Sequence, residues 1–313
     1  MNTRGAEMLA WLPFATLASA EEALGPLPAG VEFAPFPDPA GPWPDSIGEV
    51  GFLVPPYLSG TAALARIEEM TSLEVIHLNL AGYDTFLDLV PDGVALCNAA
   101  GVHDTGTAEM AMALLLAQSR KLDRYARNMT TGHWERDGFG WSIADRRALI
   151  VGYGGIGKAI ERRLEPFELA SISKVARTAR EDVHAFTEID DLLPRADIVL
   201  IACPLTDETA GLFDARRLAL LPDEAVVVNV ARGPIVDTDA LLAETSTGRL
   251  RAALDVTDPE PLPADHPLWH SPGVLIAPHT GGPATSFWPR TNALIARQLA
   301  HWAAGEPLEN RVR

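Results

Sequence analysis

Cysteine is scarce in this chain, two residues in 313, and Cys97 and Cys203 stand in no C-x-x-C or Cys/His spacing. A disulfide framework and a thiolate zinc centre are thereby excluded, so no metal is expected and a reducing cytoplasm fits. Positive charge is also short: 25 Lys and Arg against 42 Asp and Glu leave a net charge of −17, which repels nucleic acid and anionic membranes. An anionic small molecule would need a locally placed arginine. Long hydrophobic runs are missing too, since the longest, Met110 to Ala117, is too short to span a bilayer. The apolar stretch Met8 to Ala20 ends in Leu17-Ala18-Ser19-Ala20 and imitates a secretory leader, but Glu7, Pro13 and the single early basic residue Arg4 argue against one. Met8 to Phe14 therefore reads as a first strand. With 47% hydrophobic and 21% charged residues and no repeat or low-complexity tract, the chain is globular and long enough for two domains.

What is there centres on Gly152-Tyr153-Gly154-Gly155-Ile156-Gly157. It follows the apolar run Ala148 to Val151 and opens a helix-forming stretch, Lys158 to Leu164. Strand, glycine turn and helix together make a dinucleotide-binding turn. The first glycine permits the tight turn, the second lets backbone N–H groups approach a pyrophosphate, and the third packs helix on strand.

Upstream lies a proline-rich segment with apolar runs at Met8 to Phe14, Val50 to Val54 and Val75 to Leu80, which suggests a small α/β domain of its own. Thr107 to Leu122 is a strong helix former, apolar nearly all round. Such a helix is buried, either within the protomer or against a second copy, and a homodimer through it is one expectation. Downstream, apolar runs recur at Ala170 to Ala176, Asp197 to Cys203, Ala225 to Ala231, Leu250 to Val256 and Val274 to Ala277. β-rich runs alternating with helices mean a doubly wound parallel sheet. Arg177, Cys203-Pro204, Arg232, Asp255 and Pro278-His279 then share the carboxyl rim, where ligands bind. Trp288 to Trp302 reads as a helix returning to the first domain.

A Rossmann unit that takes NAD places an acid about 20 residues beyond the glycines. Here that place holds Arg177, and Leu169 to Arg180 contains no acid. Arg177, Thr178 and Arg180 offer two guanidinium groups and a hydroxyl to a 2′-phosphate, so NADP(H) is preferred and NAD(H) stays open. Solvated loop arginines are the plain alternative.

Ala81-Gly82-Tyr83-Asp84, Thr107-Ala108-Glu109, the glycine turn, Cys203-Pro204-Leu205-Thr206 with Thr209, Asn229 to Gly233, Leu254-Asp255-Val256, Asp258 to Leu262 and Pro278 to Gly282 occur in an order that resembles the D-isomer-specific 2-hydroxyacid dehydrogenases, and the resemblance covers nearly all of the chain. It is nearest the NADP-dependent glyoxylate/hydroxypyruvate reductase branch. It implies two Rossmann-like domains, the doubly wound one (104–284) for the cofactor and a smaller discontinuous flavodoxin-like one (1–103 and 285–313) for the substrate. It assigns Arg232, Glu260 and His279 as catalytic trio. Thr107, Ile156, Cys203, Pro204, Thr209, Val230, Ala231 and Gly281 would line the cofactor, with Asp255 near its carboxamide. Tyr57, Ala81 and Gly82 would meet the substrate with Arg232 and His279. A cytoplasmic homodimer is implied.

The chemistry explains the residue types. Reducing a 2-keto acid needs an anchor for the carboxylate, a hydride donor and a proton donor. Arg232 is a permanently charged fork, and His279 switches charge near neutral pH. Glu260, between Pro259 and Pro261, would stabilise the imidazolium and orient the ring. Singly, each has a bland reading: a surface arginine, a satisfied loop histidine, a solvated glutamate. Cys203 as a nucleophile lacks an adjacent base. The loop Val54 to Gly60 is rich in proline and carries Tyr57, and Trp134, Trp141 and Trp288 are further aromatics for the pocket, which leaves room for a larger 2-keto acid than glyoxylate. A phosphoglycerate- or phosphite-type dehydrogenase is the same-class rival, although the chain ends too soon for a C-terminal regulatory domain. A cofactor-sensing corepressor-like binding protein is the rival of another class.

Overall fold

A computed structural model describes residues 8–136 and 140–313; Arg4 and Glu7, which bear on the leader question, lie outside the described residues. The chain divides into two compact units, Met1–His103 with Thr285–Arg313, and Asp104–Ala284.

In the first unit, five short strands, β1 (Met8–Leu12), β2 (Val31–Pro35), β3 (Val50–Leu53), β4 (Val75–His77) and β5 (Ala95–Cys97), pair in parallel in the order β2-β1-β3-β4-β5. This is the flavodoxin-like order. Neighbouring residues along a strand point to opposite faces, and both faces are covered. Trp11, Leu53 and Ile76 enter one core; Leu12, Phe52 and Val75 enter the other with Ile295, Leu299 and Trp302 of the last helix. β2 and β5 were not expected from the sequence: β2 is a half-buried edge ending in Pro35 and β5 has three residues, too little for periodicity to register. Of the run Val75 to Leu80 only Val75–His77 is strand. The buried Asn79 then turns the chain, donating to the Pro55 carbonyl (3.1 Å) and accepting from the Thr291 hydroxyl (3.0 Å). Helix α1 (Leu17–Leu24) follows β1, opened by a capping box between Thr16 and Ser19.

The second unit begins with α2 (Asp104–Ser119) and α3 (Leu122–Met129), separated at Lys121, whose φ of 55° ends the first helix. Seven parallel strands follow: β6 (Arg147–Val151), β7 (Ser171–Ala176), β8 (His184–Ala185), β9 (Ile198–Ile201), β10 (Val226–Asn229), β11 (Arg251–Leu254) and β12 (Val274–Ile276). Between them run α4 (Gly155–Leu164), α5 (Ile189–Leu192), α6 (Ala215–Leu220) and α7 (Thr238–Ser246). The order is β12-β11-β10-β9-β6-β7-β8. The chain leaves β6 in one direction and resumes at β9 on its other side, so the switch point of a doubly wound sheet falls between β6 and β9. β9 and β10 are buried along their whole length, and truncating Ile150 or Val228 in this core would cost about 2–5 kcal/mol.

Of the two ways to bury α2 that the sequence left open, packing within its own unit is seen. Ala108, Ala111, Met112, Leu114 and Leu115 are buried in this unit, where α2 packs on α4, β10, β11 and β12, and the helix starts three residues earlier than expected, at Asp104, taking in Gly106. A Cβ on Gly106 would lie 2.9 Å from the Gly281 carbonyl, so a glycine permits that approach. On α3 the exposed or partly exposed Leu122, Tyr125 and Met129 recur at helical spacing. The return helix α8 (Phe287–Ala304) belongs to the first unit. No described helix is long and apolar enough to cross a membrane.

Candidate active site

The turn after β6 is shaped by what surrounds it. Gly152 has φ 101°, and a Cβ there would collide with the backbone of Ala202 and Cys203 just beyond β9. A Cβ on Gly157 would collide with the Gly152 carbonyl, so α4 lies directly against the turn. Gly154, by contrast, has nothing within 4 Å of its Cβ position, and as the N-cap of α4 it supplies no side-chain hydrogen bond. The first N–H groups of α4 therefore have no side-chain cap at Gly154, and the space beside that residue is open. A helix N-terminus with positive potential beside open space fits a pyrophosphate.

Beyond β7, Arg177, Thr178 and Arg180 are exposed. Arg177 makes no side-chain hydrogen bond or ion pair among the described residues. Arg180 donates to the Tyr153 carbonyl at 2.7 Å. No acid stands at the Arg177 position.

After β10, β11 and β12 the loops are tightly tied. Asn229 accepts from the Ala231 N–H (3.0 Å) and donates to the Arg232 carbonyl (2.9 Å), closing the turn that presents Arg232. The Arg232 side chain is half-buried, donates only to the Ala231 carbonyl, and has no carboxylate partner among the described residues. A Cβ on Gly233 would strike the Thr257 carbonyl, so this turn abuts the loop that carries Glu260. That loop is held by Thr257, donating to the Pro259 carbonyl, and by Thr238, donating to the Asp258 carbonyl.

His279 Nδ1 lies 2.5 Å from Glu260 Oε1. A carboxylate has no proton to give, so the ring donates through Nδ1 and leaves Nε2 as the atom that gives or takes a proton. His279 itself adopts φ 53°, a left-handed conformation that costs a side-chain-bearing residue energy and persists where neighbours hold it. Asp255, 2% exposed, is the holder. Its carboxylate accepts from the Thr280 and Gly281 N–H groups (2.8 and 2.9 Å), while its carbonyl accepts from the His279 N–H (2.7 Å). A Cβ on Gly281 would meet that carboxylate at 2.7 Å.

The remaining residues singled out in the sequence fall in three groups. Thr107, Cys203, Thr209, Val230 and Ala231 are buried in the second unit. Thr209 donates to the Pro204 carbonyl (2.6 Å) and accepts from the Thr206 N–H (2.8 Å), which folds the loop after β9. Burial pushes the Cys203 thiol up to about 12, so no thiolate nucleophile stands there at neutral pH. Tyr57, Ala81 and Gly82 belong to the first unit. There Asn98 donates to the Ala81 carbonyl (2.7 Å), and the Tyr57 ring packs 4.4 Å from Phe287, with His103 and Trp288 about it. The tryptophans part company. Trp288 is half-exposed in that cluster and Trp134 is 92% exposed, but Trp141 is buried with Arg146 and Arg251 against its ring and is withdrawn as a pocket residue.

Sequence reasoning missed Asn229 and the holding role of Asp255. Asn229 stood in a quoted motif, and an Asn two residues before a backbone turn is a known turn-former, so that signal was present. Among the described residues no group of three or more His, Cys, Asp or Glu is placed to hold a metal.

Comparison with known proteins places this geometry. The family D-isomer specific 2-hydroxyacid dehydrogenase, NAD binding domain, matches residues 112–281. The chain is 35% identical over 235 residues to glyoxylate/hydroxypyruvate reductase B of Citrobacter koseri, covering 71% of this chain and 72% of that protein. It is 30% identical over 266 residues to human glyoxylate reductase/hydroxypyruvate reductase, covering 82% and 79%. A D-isomer specific 2-hydroxyacid dehydrogenase from Xanthobacter autotrophicus Py2, solved in complex with NADPH and MES, superposes with a TM-score of 0.79 at 28% identity over 98% of both chains. More than half of the sequence lies within the family's own pattern, and the rest shares its architecture: the chain belongs to the D-isomer-specific 2-hydroxyacid dehydrogenases, oxidoreductases built on two parallel α/β sheets.

Proposed function

We propose that the protein reduces a 2-keto acid to a D-2-hydroxy acid with NADPH, His279 acting as general acid, Glu260 balancing and orienting it, and Arg232 gripping the substrate carboxylate. The observation that carries this reading is the 2.5 Å contact between His279 Nδ1 and Glu260 Oε1. It orients the ring through Nδ1, leaving Nε2 to protonate the oxygen of the reduced ketone. Arg232, charged and without a carboxylate partner among the described residues, is available to an anion. Bound reduced nicotinamide supplies the hydride.

The open turn at Gly154 and the α4 N-terminus would hold the pyrophosphate, with Gly152, Gly155, Ile156 and Gly157 shaping it. Arg177, Thr178 and Arg180 would meet a 2′-phosphate, a choice supported by the NADPH complex of the Xanthobacter relative. Thr107, Cys203, Pro204, Thr209, Val230, Ala231, Asp255 and Gly281 would complete the cofactor's surroundings in the Asp104–Ala284 unit. Tyr57, Ala81 and Gly82 are proposed as further substrate contacts. The named relatives support glyoxylate and hydroxypyruvate as first substrates to try.

Purified protein given NADPH and a panel of 2-keto acids, from glyoxylate to aromatic side chains, should oxidise NADPH well above blank. No turnover on any of them would overturn the reading. We also propose a cytoplasmic homodimer, with the α3 stripe of Leu122, Tyr125 and Met129 as its apolar surface. A monomer mass in light scattering removes it.

A further inference from the structure

Tyr153 occupies the variable position inside the glycine turn, and three contacts converge on it. Its carbonyl accepts from Arg180 (2.7 Å), the Arg180 guanidinium carbon lies 5.6 Å from its ring centroid, and the Lys174 ammonium lies 5.4 Å from the same centroid. Its phenol donates to Glu161, whose other oxygen takes the Lys174 ammonium at 3.0 Å. Hydrogen bonding to Glu161 pushes the phenol up to about 12, so it stays a donor throughout the physiological range. The backbone of Arg180 is fixed as well, exchanging N–H···O bonds of 3.0 and 2.9 Å with Val183.

From this arrangement we infer that Tyr153 is a positioning residue for Arg180, aiming its guanidinium at the 2′-phosphate of the adenosine half of the cofactor and so carrying part of the selectivity for a phosphorylated dinucleotide. The inference rests on the NADPH reading above. A guanidinium has five N–H donors in a rigid fork. The Tyr153 carbonyl takes one, the ring braces one face, and the exposed side chain keeps other donors for a phosphate. An unbraced arginine would lose side-chain freedom on binding; this one has already lost part of it. The rest of the cluster removes a conflict. Glu161 would oppose a phosphate, but the Lys174 ammonium pairs with its charge.

The test is calorimetric titration of NADP⁺ and NAD⁺, which reads affinity without turnover. In Tyr153→Leu the Kd for NADP⁺ should rise about two- to fivefold, the size of a surface cation–π contact, while that for NAD⁺ stays unchanged. Tyr153→Phe, which keeps ring and carbonyl, should restore the native ratio. Arg180→Lys, on an exposed loop where folding is not at stake, should lower the NADP⁺ preference, and adding Tyr153→Leu to it should change nothing further. Equal weakening of both nucleotides by Tyr153→Leu, or an undiminished effect in the Arg180→Lys background, overturns the positioning role while leaving NADPH use intact. A native protein that binds NAD⁺ as tightly as NADP⁺ overturns the NADPH reading itself, and the inference with it.

Discussion

The loop after β12 and the loop after β7 leave the same edge of one sheet, yet they are held in opposite ways. In the first, His279, Thr280 and Gly281 all direct their N–H groups to Asp255, and the imidazole is clamped at 2.5 Å by Glu260. In the second, Arg177 is exposed without a side-chain partner among the described residues, while Arg180 is braced only from one side, by the carbonyl and ring of Tyr153. The difference follows from the chemistry each loop is read to perform. Proton transfer demands heavy atoms placed to a fraction of an ångström, so backbone strain at His279 is tolerated and braced. A phosphate is a large anion that a long guanidinium can meet from many directions, so at Arg177 order can arrive with the ligand.

The sharpest way to break this contrast is to remove the acid. His279→Gln keeps a polar side chain and should lower kcat by about 10²–10⁴ with NADPH affinity unchanged, measured by steady-state rates beside nucleotide titration. A kcat within tenfold of native would falsify the general-acid assignment. Next comes the brace. Asp255→Ala strips the partner from two charge-assisted backbone hydrogen bonds, each about 1.5–3 kcal/mol, and should cost about 3 kcal/mol in urea unfolding as well as activity. If kcat falls while stability holds, Asp255 serves the ligand rather than the loop, and the account of the locked loop is wrong.

How much of this was legible in the sequence depended on the range of the interaction. The glycine turn and the strand runs could be read because each is a local pattern, and a doubly wound sheet puts the carboxyl ends of its strands on one rim, whereas Arg232, Glu260 and His279 were grouped by the resemblance. The bond from Glu260 to His279 spans 19 residues and came only through the resemblance. Nothing local to Asp255 says that its carboxylate will be wrapped by Thr280 and Gly281, 25 and 26 residues on. What α2 packs against was illegible for the same reason. Apolarity all round says that a helix is covered, but α4 and the strands that cover it are set by the winding of the sheet. β5, three residues long, left no periodicity to read.

The smallest effect belongs to the loose loop, and it tests whether looseness there is compatible with selectivity. Arg177→Ala should raise the KM for NADPH about tenfold, the lower end of what one charge-assisted contact is worth, and leave kcat and the KM for NADH alone. Because the side chain is exposed and has no partner among the described residues, unfolding stability should stay within about 0.5 kcal/mol of native. Arg177→Asp should go further and tilt preference toward NADH, since an acid at this position accepts from ribose hydroxyls and repels a phosphate. If instead both variants leave the NADPH and NADH constants unmoved, the arginines after β7 are solvated surface charges, and the contrast between the two loops reduces to one working loop and one idle one.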